Sequence, residues 1–448
     1  LPYLESLPRQ PAAEWEGGEA VARSLAEELP ERGAAFEELL DTVFERAGPH
    51  SFNTAGPGYL AYVPGGGIFY TAVADLIGDA VNRYVGVWLA APGMVQLEQN
   101  VVRWFCDIVG LPAGSGGVLT TGGSMANFIG IVTARREKLP EDFLGGTIYA
   151  SDQVHHSVTK AAVLAGFPPG RVRMVPSDRS FRIDLAALER AIAEDRAAKL
   201  TPFLLVASGG TTNSGAVDPL PELADLAARE SLWLHVDAAY GGFFCLTERG
   251  RAALRGIGRA DSLSLDPHKG MFLPYGTGSL LVRDPRALRR AHATAADYMP
   301  PFQDDPDLVD YCELSPELSR DNRGLRVWLP AKLLGFEVWR QALDEKLDLA
   351  RHATEVLRQT PSVEILAEPE LSLLAFRLAP EGLPAGQLDA LNRAWLDRVN
   401  RRRHVYLTGT MLHGRYALRI CVLHFRTHRE RIDVALDDLR QEAAALLG

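Results

Sequence analysis

The spacing of apolar residues divides this chain into three regions. Up to about residue 64, apolar positions at helical spacing predict amphipathic helices at 19–29 and 34–47, before a loop rich in glycine and proline. From about 95 to 282, helical stretches alternate with short apolar runs, which predict strands at 147–150, 172–175, 203–207, 232–236, 262–265 and 278–282. This alternation predicts a largely parallel α/β sheet with functional groups at the carboxyl ends of its strands.

The last region has a different pattern. A long amphipathic stretch at 325–360 predicts helix, and strands at 372–378 and 416–422 then alternate with helices at 386–401 and 429–447. A chain of 448 residues exceeds what one hydrophobic core usually organises. We therefore expect an N-terminal helical segment at 1–66, a large domain at 67–335 and a small α+β domain at 336–448.

Composition narrows the class of protein. With 47% hydrophobic and 23% charged residues, the chain has the composition of a globular protein, and no apolar run reaches the ~20 residues that span a bilayer. The net charge of -10 disfavours nucleic acid as a partner. Nothing resembles a signal peptide, and the four cysteines lack metal-type spacing, so we expect a cytoplasmic protein with free thiols.

Two short motifs predict a cofactor. Asp237 ends an apolar strand in the sequence His-Val-Asp-Ala-Ala, and Lys269 follows the next strand in Asp-Pro-His-Lys-Gly. Pyridoxal phosphate needs such a pair, because a lysine holds its aldehyde as a Schiff base and an aspartate keeps its pyridine nitrogen protonated. Either motif alone is a weak signal. Together, in this order, they favour pyridoxal phosphate as the cofactor.

Other polar residues also fall at predicted strand ends. Gly123 and Ser124 open a helix whose backbone N–H groups could hold a phosphate, with Ser124 as an ordinary N-cap the alternative. Thr212 lies in a turn that could be functional or structural. His155 could stack on a flat cofactor ring. We interpret His235 as a core histidine, and we expect no metal because the histidines bring no complete ligand set.

These motifs resemble the fold-type I pyridoxal-phosphate enzymes, and more narrowly the group II amino-acid decarboxylases, which include the aromatic-L-amino-acid decarboxylases. The resemblance covers nearly the whole chain. It implies a large domain of the aspartate aminotransferase type with a mainly parallel seven-stranded sheet. The motifs that carry it are Ser-Asp-Gln-Val-His at 151–155, Gly-Thr-Thr at 210–212, His-Val-Asp-Ala-Ala at 235–239, Pro-His-Lys at 267–269 and Arg-Gly-Leu-Arg-Val-Trp at 323–328.

The resemblance also implies roles for single residues. Lys269 would form the Schiff base, Asp237 would pair with the pyridine nitrogen, and His155 would stack on the ring. The remaining cofactor positions that it implies are Ala239 under the ring, Thr212 near cofactor and substrate, and Gly123, Ser124 and His268 on the phosphate side.

One tyrosine bears on the outcome of the reaction. In the family, a tyrosine on a mobile loop reaches in from the partner subunit and protonates the substrate carbon after carbon dioxide leaves. The resemblance implies Tyr298 for this role, with Tyr311 as the second choice. It also implies a homodimer with active sites at the subunit interface and swapped N-terminal helices. Relatives that make aldehydes tend to replace this tyrosine or the stacking histidine, so Tyr298 and His155 favour simple decarboxylation.

The substrate is less well determined by the sequence. The resemblance implies an aromatic L-amino acid (tryptophan, tyrosine, phenylalanine or DOPA), with Tyr62, Val63, Pro64, Trp88 and Thr212 as candidate contacts. The alternatives are an aromatic aldehyde synthase and a decarboxylase of an acidic or diamino acid.

The chain departs from the family pattern in three places, and the first is Gly270, which stands where the family usually has a bulky aromatic residue after the lysine. Asp266 stands where many members have asparagine, and a second negative charge beside a phosphate is unfavourable, so we expect Asp266 to point elsewhere or to cap a backbone group. The glycine run at 65–67 makes the pocket loop smaller than in the animal enzymes.

Overall fold

The computed structural model describes residues 2–294, 302, 303, 305 and 307–448. Internal contacts divide the chain into a large unit, Gly67–Asp348 with Ala367–Leu373, and a small unit, Leu1–Gly66 with Leu349–Leu366 and Leu374–Gly448. The predicted boundary after residue 66 coincides with one of these divisions. The helix that begins at Phe336, where the small domain was expected to start, belongs to the large unit as far as Asp348. The three domains stay a prediction.

Within the described residues of the large unit, seven strands form one sheet in the order β1-β7-β6-β5-β4-β2-β3. Four neighbouring pairs are parallel, while β7 is antiparallel to both β1 and β6. The mainly parallel seven-stranded sheet is therefore confirmed. The strands are β1 (Gly116–Thr120), β2 (Gly146–Ser151), β3 (Val172–Val175), β4 (Thr201–Ser208), β5 (Trp233–Asp237), β6 (Ser262–Leu265) and β7 (Gly278–Val282).

Helices cover this sheet and bury its apolar side chains. One hydrophobic cluster joins the helix Gly123–Lys138 to Ile148, Leu204 and Val206 of the central strands, as a parallel sheet buried on both faces requires. The helices of the large unit are Phe69–Val81, Pro92–Val109, Gly123–Lys138, Ser157–Leu164, Leu185–Ala197, Leu220–Arg229, Glu248–Ala253, Pro267–Gly270, Arg286–His292, Arg323–Leu334 and the first part of Phe336–Arg358.

The strand β1 was not predicted, because two of its five residues are glycines. Gly117 has a structural reason to be glycine: a Cβ atom built on it would lie 2.1 Å from the carbonyl oxygen of Leu280 on β7. The pairing of β1 with β7 therefore requires a residue without a side chain, and this removes the hydrophobic signal on which strand prediction depends.

The small unit contains a four-stranded sheet in the order β10-β11-β9-β8. Its core includes Leu374, Phe376, Leu418 and Ile420 from the strands together with Trp395 from a helix. The elements are the strands β8 (Val363–Ala367), β9 (Leu373–Leu378), β10 (Thr408–Leu412) and β11 (Arg415–Cys421), and the helices Pro2–Ser6, Gly18–Ser24, Phe36–Asp41, Ala385–Arg401 and Arg429–Leu447, with a π-helical turn at Thr42–Ala47. Among the described residues, no helix combines the length and apolar character that crossing a membrane requires.

A buried ion pair anchors the segment before residue 323 to the sheet. The Nη2 atom of Arg320 lies 2.7 Å from Oε1 of Glu98, and both side chains are at most 1% exposed. The same guanidinium donates to the carbonyl of Leu119, at the end of β1, and lies over the ring of Tyr311. Because water cannot reach either charge, each depends on the other.

We predict that Arg320→Met lowers the free energy of unfolding by about 3–5 kcal/mol, because it leaves the Glu98 carboxylate buried without a countercharge. Urea unfolding followed by circular dichroism measures this change. The control is Arg23→Met, which removes a fully solvated pair with Glu19 and should cost at most about 1 kcal/mol. Equal losses in the two variants would contradict the assigned role of the buried pair.

Candidate active site

A cavity of about 360 Å³ lies where the carboxyl ends of the central strands meet. Parallel strands deliver the residues that follow them to the same edge of a sheet, which explains why distant segments meet there. The residues that line the cavity are Thr121, Gly122, Gly123, Ser124, Met125, Asn127, His155, Ser157, Ser208, Gly210, Thr211, Thr212, Asp237, Ala239, Tyr240, Asp266, His268, Lys269, Tyr275 and Gly276.

Lys269 provides a partly exposed amine at this edge. It lies in the one-turn helix Pro267–Gly270, which follows β6 and begins with a proline suited to the first helical position. Its Nζ atom is 2.9 Å from Oδ2 of Asp266, and its side chain is 22% exposed. The lysine is thus held by a carboxylate while it remains accessible from the cavity.

Asp237 is a buried carboxylate with several donors. Its Oδ2 accepts a hydrogen bond of 2.9 Å from Asn127, and its Oδ1 accepts one of 2.9 Å from Ser264 and a weaker one from the Ala239 N–H. Burial raises the pKa of Asp237, but the Asn127 hydrogen bond and the charge on Lys269 outweigh it, so the pKa lies below its ordinary value. Asp237 is therefore ionised near neutral pH.

His155 lies on the wall of the same cavity, just before the helix Ser157–Leu164. Its Nδ1 atom is 2.8 Å from the Ser157 hydroxyl oxygen and also accepts from the Ser157 N–H. Burial lowers the pKa of His155 below its ordinary value, despite the opposing charge of Asp237. A neutral imidazole therefore faces this space near pH 7.

The glycine-rich turn after β1 forms another part of the wall. Gly122 adopts a φ of 153°, which a residue with a side chain rarely adopts, and the 16-residue helix Gly123–Lys138 begins directly after it. A Cβ atom on Gly123 would lie 3.0 Å from both Ala239 and Asp266. Backbone N–H groups at a helix N-terminus attract anions. His268 lies beside this turn, with Nδ1 donating to the Thr277 carbonyl.

A comparison with protein families places the chain in one of them. The family model described as the pyridoxal-dependent decarboxylase conserved domain matches residues 19–379, most of the chain. The chain belongs to the pyridoxal-dependent decarboxylase family.

Individual relatives agree with this assignment. The aromatic-L-amino-acid decarboxylase of Bacillus atrophaeus is 33% identical over 434 residues, which cover 96% of this chain and 90% of the relative. The structure of Oryza sativa TDC with PLP and tryptamine is 26% identical, with a TM-score of 0.95 and coverage of 100% of this chain and 96% of that one. The Rhodiola rosea 4-hydroxyphenylacetaldehyde synthase is 26% identical, with a TM-score of 0.92 and the same coverages.

The cavity of this decarboxylase suits pyridoxal phosphate. An accessible amine, an ionised carboxylate and a glycine-rich helix N-terminus are the three groups that an aldehyde, a basic ring nitrogen and a phosphate require, and they line one space. Lys269 and Asp237 would hold the cofactor at two positions, and the turn at Gly123 and Ser124 at a third. Ala239, Thr212, His155 and His268 also line this space. Among the described residues, no cluster of histidine, cysteine, aspartate or glutamate is suited to a metal ion.

The expectation for Asp266 is wrong. Its side chain neither points away from the site nor caps a backbone group: it lines the cavity, and its Oδ2 pairs with Lys269. Its Oδ1 is buried and has no hydrogen-bond partner within the described residues. The carboxylate is therefore held beside the amine of Lys269.

The candidate substrate contacts are divided between the two units. Thr212 lines the cavity, whereas Trp88 packs against the core cluster around Val95 and donates its backbone N–H to Oδ1 of Asp310. Tyr62, Val63 and Pro64 belong to the small unit, where Tyr62 is exposed and its carbonyl accepts from Arg419.

Of the two tyrosines considered as proton donors, the structure describes Tyr311 and not Tyr298. Tyr311 is 1% exposed, belongs to the same core cluster as Val95 and is not among the residues that line the cavity. Tyr298 lies outside the described residues.

Sequence reasoning missed Asn127, Ser157 and Ser264, which hold Asp237 and His155 in place. Asn127 carried a usable signal, because an amide inside the apolar stretch Met125–Val132 of a helix needs buried partners. Serines at strand ends are too common to be informative. His235 is a buried, hydrogen-bonded core histidine, as predicted.

We predict that His235 makes stability depend on pH. Burial lowers the pKa of His235 from 6.5 to about 4, so the unfolded chain binds a proton at higher pH than the folded chain does. The contribution of His235 to the free energy of unfolding is complete above pH 6.5 and is lost as the pH falls towards 4. Between pH 7 and pH 5 the loss should be roughly 2 kcal/mol.

The measurement compares urea unfolding at these two pH values for the native chain, His235→Gln and His156→Gln. The first variant should lose this part of the pH dependence. The second, at an exposed position, should keep it. An unchanged pH dependence in His235→Gln would show that another group is responsible.

Proposed function

We propose that this decarboxylase converts an aromatic L-amino acid to its amine and carbon dioxide. The observation that carries the proposal is the shared cavity of Lys269, Asp237 and His155 in a chain whose relatives include proteins named for aromatic amino acids. Tryptophan, tyrosine, phenylalanine and DOPA are the candidate substrates. The Rhodiola relative, named as an aldehyde synthase, keeps oxidative decarboxylation as the alternative.

Pyridoxal phosphate, when bound, supplies an aldehyde that condenses with amines and a ring that accepts the electron pair released when carbon dioxide leaves. The chain supplies the groups around it. Lys269 would provide the amine that holds the cofactor covalently through its aldehyde. Asp237, kept ionised by Asn127 and Ser264, favours a positive charge on the ring nitrogen. These groups are already in place, so little rearrangement is needed during reaction.

Protonation of the substrate carbon completes the reaction. We assign this step to Tyr298 on the resemblance to the family, with neutral His155 as a second group close enough to the cofactor site to relay a proton. The core position of Tyr311 supports the choice of Tyr298 over it.

We propose Tyr62, Val63, Pro64 and Trp88, in addition to Thr212, as substrate contacts. Their support is the resemblance alone for the first four and the position of Thr212 on the cavity wall for the fifth. In an assembled enzyme these contacts could come from either subunit.

We also propose a homodimer. The N-terminal segment of a single chain exposes several large apolar side chains, among them Leu29, in the loop after the helix Gly18–Ser24, at 86% and Phe36, in the next helix, at 68%. Such a surface is typical of an interface, and a two-fold dimer is the commonest way to cover it. The four free cysteines support a reducing compartment, which we propose is the cytoplasm.

The test of function is product analysis. The purified chain is incubated in air with pyridoxal phosphate and a mixture of amino acids, and the products are identified by mass spectrometry. An aromatic amine supports the proposal and names the substrate. An amine from glutamate, aspartate or a diamino acid would overturn the substrate class, and an aldehyde would favour the alternative.

We predict that Lys269→Ala lowers turnover by a factor on the order of 10³ or more. Without the amine, the cofactor cannot be held covalently. Borohydride reduction followed by peptide mass spectrometry should find a cofactor adduct at Lys269 in the native chain and none at this position in the variant. Lys160→Ala, at an exposed helix position, is the control and should keep both adduct and turnover. An active Lys269→Ala enzyme would refute the assignment.

We predict that Tyr298→Phe changes the product from amine to aldehyde. If the substrate carbon is not protonated promptly, dioxygen can oxidise it, and amino acid, O2 and water then give aldehyde, carbon dioxide, ammonia and hydrogen peroxide. Mass spectrometry of the organic product and a peroxide assay measure the change. The matched control, Tyr311→Phe, should still give amine. Amine from Tyr298→Phe and aldehyde from Tyr311→Phe would exchange the two roles.

A further inference from the structure

The hydrogen bonds around Asp237 and those around His155 meet at one side chain, Asn127. Its amide is buried, with the residue 1% exposed. The Nδ2 atom donates to Oδ2 of Asp237 at 2.9 Å and to the hydroxyl oxygen of Ser157 at 3.0 Å, while Oδ1 lies 3.0 Å from Nε2 of His235. All three hydrogen-bonding groups of this amide are thus used within the site.

The direction of these hydrogen bonds follows from their two ends. An ionised Asp237 can only accept, so the NH2 group of Asn127 must face it, and the amide oxygen must face His235. Nε2 of His235 therefore carries a proton, and Nδ1 accepts from the Ser262 hydroxyl 2.8 Å away. At the far end, the indole N–H of Trp233, which can only donate, bonds the same hydroxyl oxygen at 2.8 Å. The donor at Trp233 and the acceptor at Asp237 thus require the same donor-to-acceptor direction along this series of hydrogen bonds.

The second proton of the Asn127 NH2 group determines the hydrogen bonds that run through Ser157 to His155. Because Ser157 accepts from Asn127, its own hydroxyl proton is free to donate to Nδ1 of His155 at 2.8 Å. The Ser157 backbone N–H points at the same nitrogen at 3.3 Å. Two donors aimed at Nδ1 exclude a proton there, so the neutral ring of His155 carries its proton on Nε2.

We propose that Asn127 is a positioning residue that sets the tautomer of His155 and holds Asp237 ionised through a single amide group. Its effect on decarboxylation rests on the proposed function, whereas its effect on His155 does not. As one consequence, His155 presents an N–H donor at Nε2. As another, one side chain holds both Asp237, which would face the cofactor ring nitrogen, and His155, which would stack on the ring.

The decisive variant is Asn127→Leu, which keeps a similar volume and removes every hydrogen bond of the amide. The protein carries 15N-labelled histidine, and the two-bond proton–nitrogen couplings of His155 report its tautomer in the cofactor-free and loaded full-length chain. His155→Gln identifies the signal. In the native chain the proton should be found on Nε2, and in Asn127→Leu His155 should exchange between both tautomers.

A second readout concerns Asp237. Loss of the Asn127 donor should move the acidic limb of the kcat/KM profile upward by about one pH unit or more. The control is Asn392→Leu, which removes an equally buried asparagine from the small unit, where it bonds the backbone of Leu378 and Leu388. This control should change neither the tautomer nor the acidic limb. If Asn127→Leu also changes neither, the proposal is overturned.

If Asn127→Leu does not fold, Ser157→Ala tests the hydrogen bonds between Asn127, Ser157 and His155 alone. It should loosen the tautomer of His155 and leave the acidic limb where it is in the native chain, because Asp237 keeps all its donors. A fixed tautomer in Ser157→Ala would overturn the proposal. Since the tautomer is measured without substrate, a chain that makes no amine would count against the proposed function and leave this result standing.

Discussion

A negative charge at the carboxyl end of the central strand β5, on Asp237, is the constraint on which the rest of the site depends. A buried ionised carboxylate costs several kcal/mol unless donors and a countercharge compensate it. Here the compensation comes from Asn127, Ser264, the Ala239 N–H and Lys269. These groups belong to a helix, a neighbouring strand, the turn after β5 and the turn after β6. One charge therefore fixes the relative positions of four segments.

The parallel sheet makes this compensation possible. In its register, Asp237 at the end of β5 lies between Ser208 on β4 and Ser264 on β6. A parallel order places all three residues at the same edge, so their side chains and the turns that follow them meet. The sheet is thus more than a scaffold: its register decides which hydroxyl can donate to the carboxylate, and a shift by one residue would turn Ser264 to the opposite face.

Much of this could be predicted from the sequence, for a physical reason. β3, β6 and β7 were predicted at their observed bounds, because β3 and β7 are short, mostly apolar runs and β6 alternates serine with leucine, and polar residues, glycine or proline delimit all three. β10 escaped prediction because Thr-Gly-Thr leaves it half-exposed and weakly apolar. Lys269, Asp237 and His155 stand in recognisable local motifs. Asn127 does not, since its partners Ser157 and Asp237 lie 30 and 110 positions away. The prediction for the side chain of Asp266 was wrong because its partner, Lys269, was considered only as a cofactor ligand.

The close approach at Gly117 limits how this sequence can vary. β1 is an edge strand whose sheet neighbour is β7, and any side chain at position 117 would push the two apart. The strand ends at Thr120, directly before the turn that holds Gly122 and Gly123. Displacing β1 would therefore displace the turn that we propose holds the phosphate, while most of the sheet stays intact. A mutation there would resemble a binding-site lesion in its effects, although the altered residue never touches the ligand, and genetic screens for lost cofactor affinity should recover it.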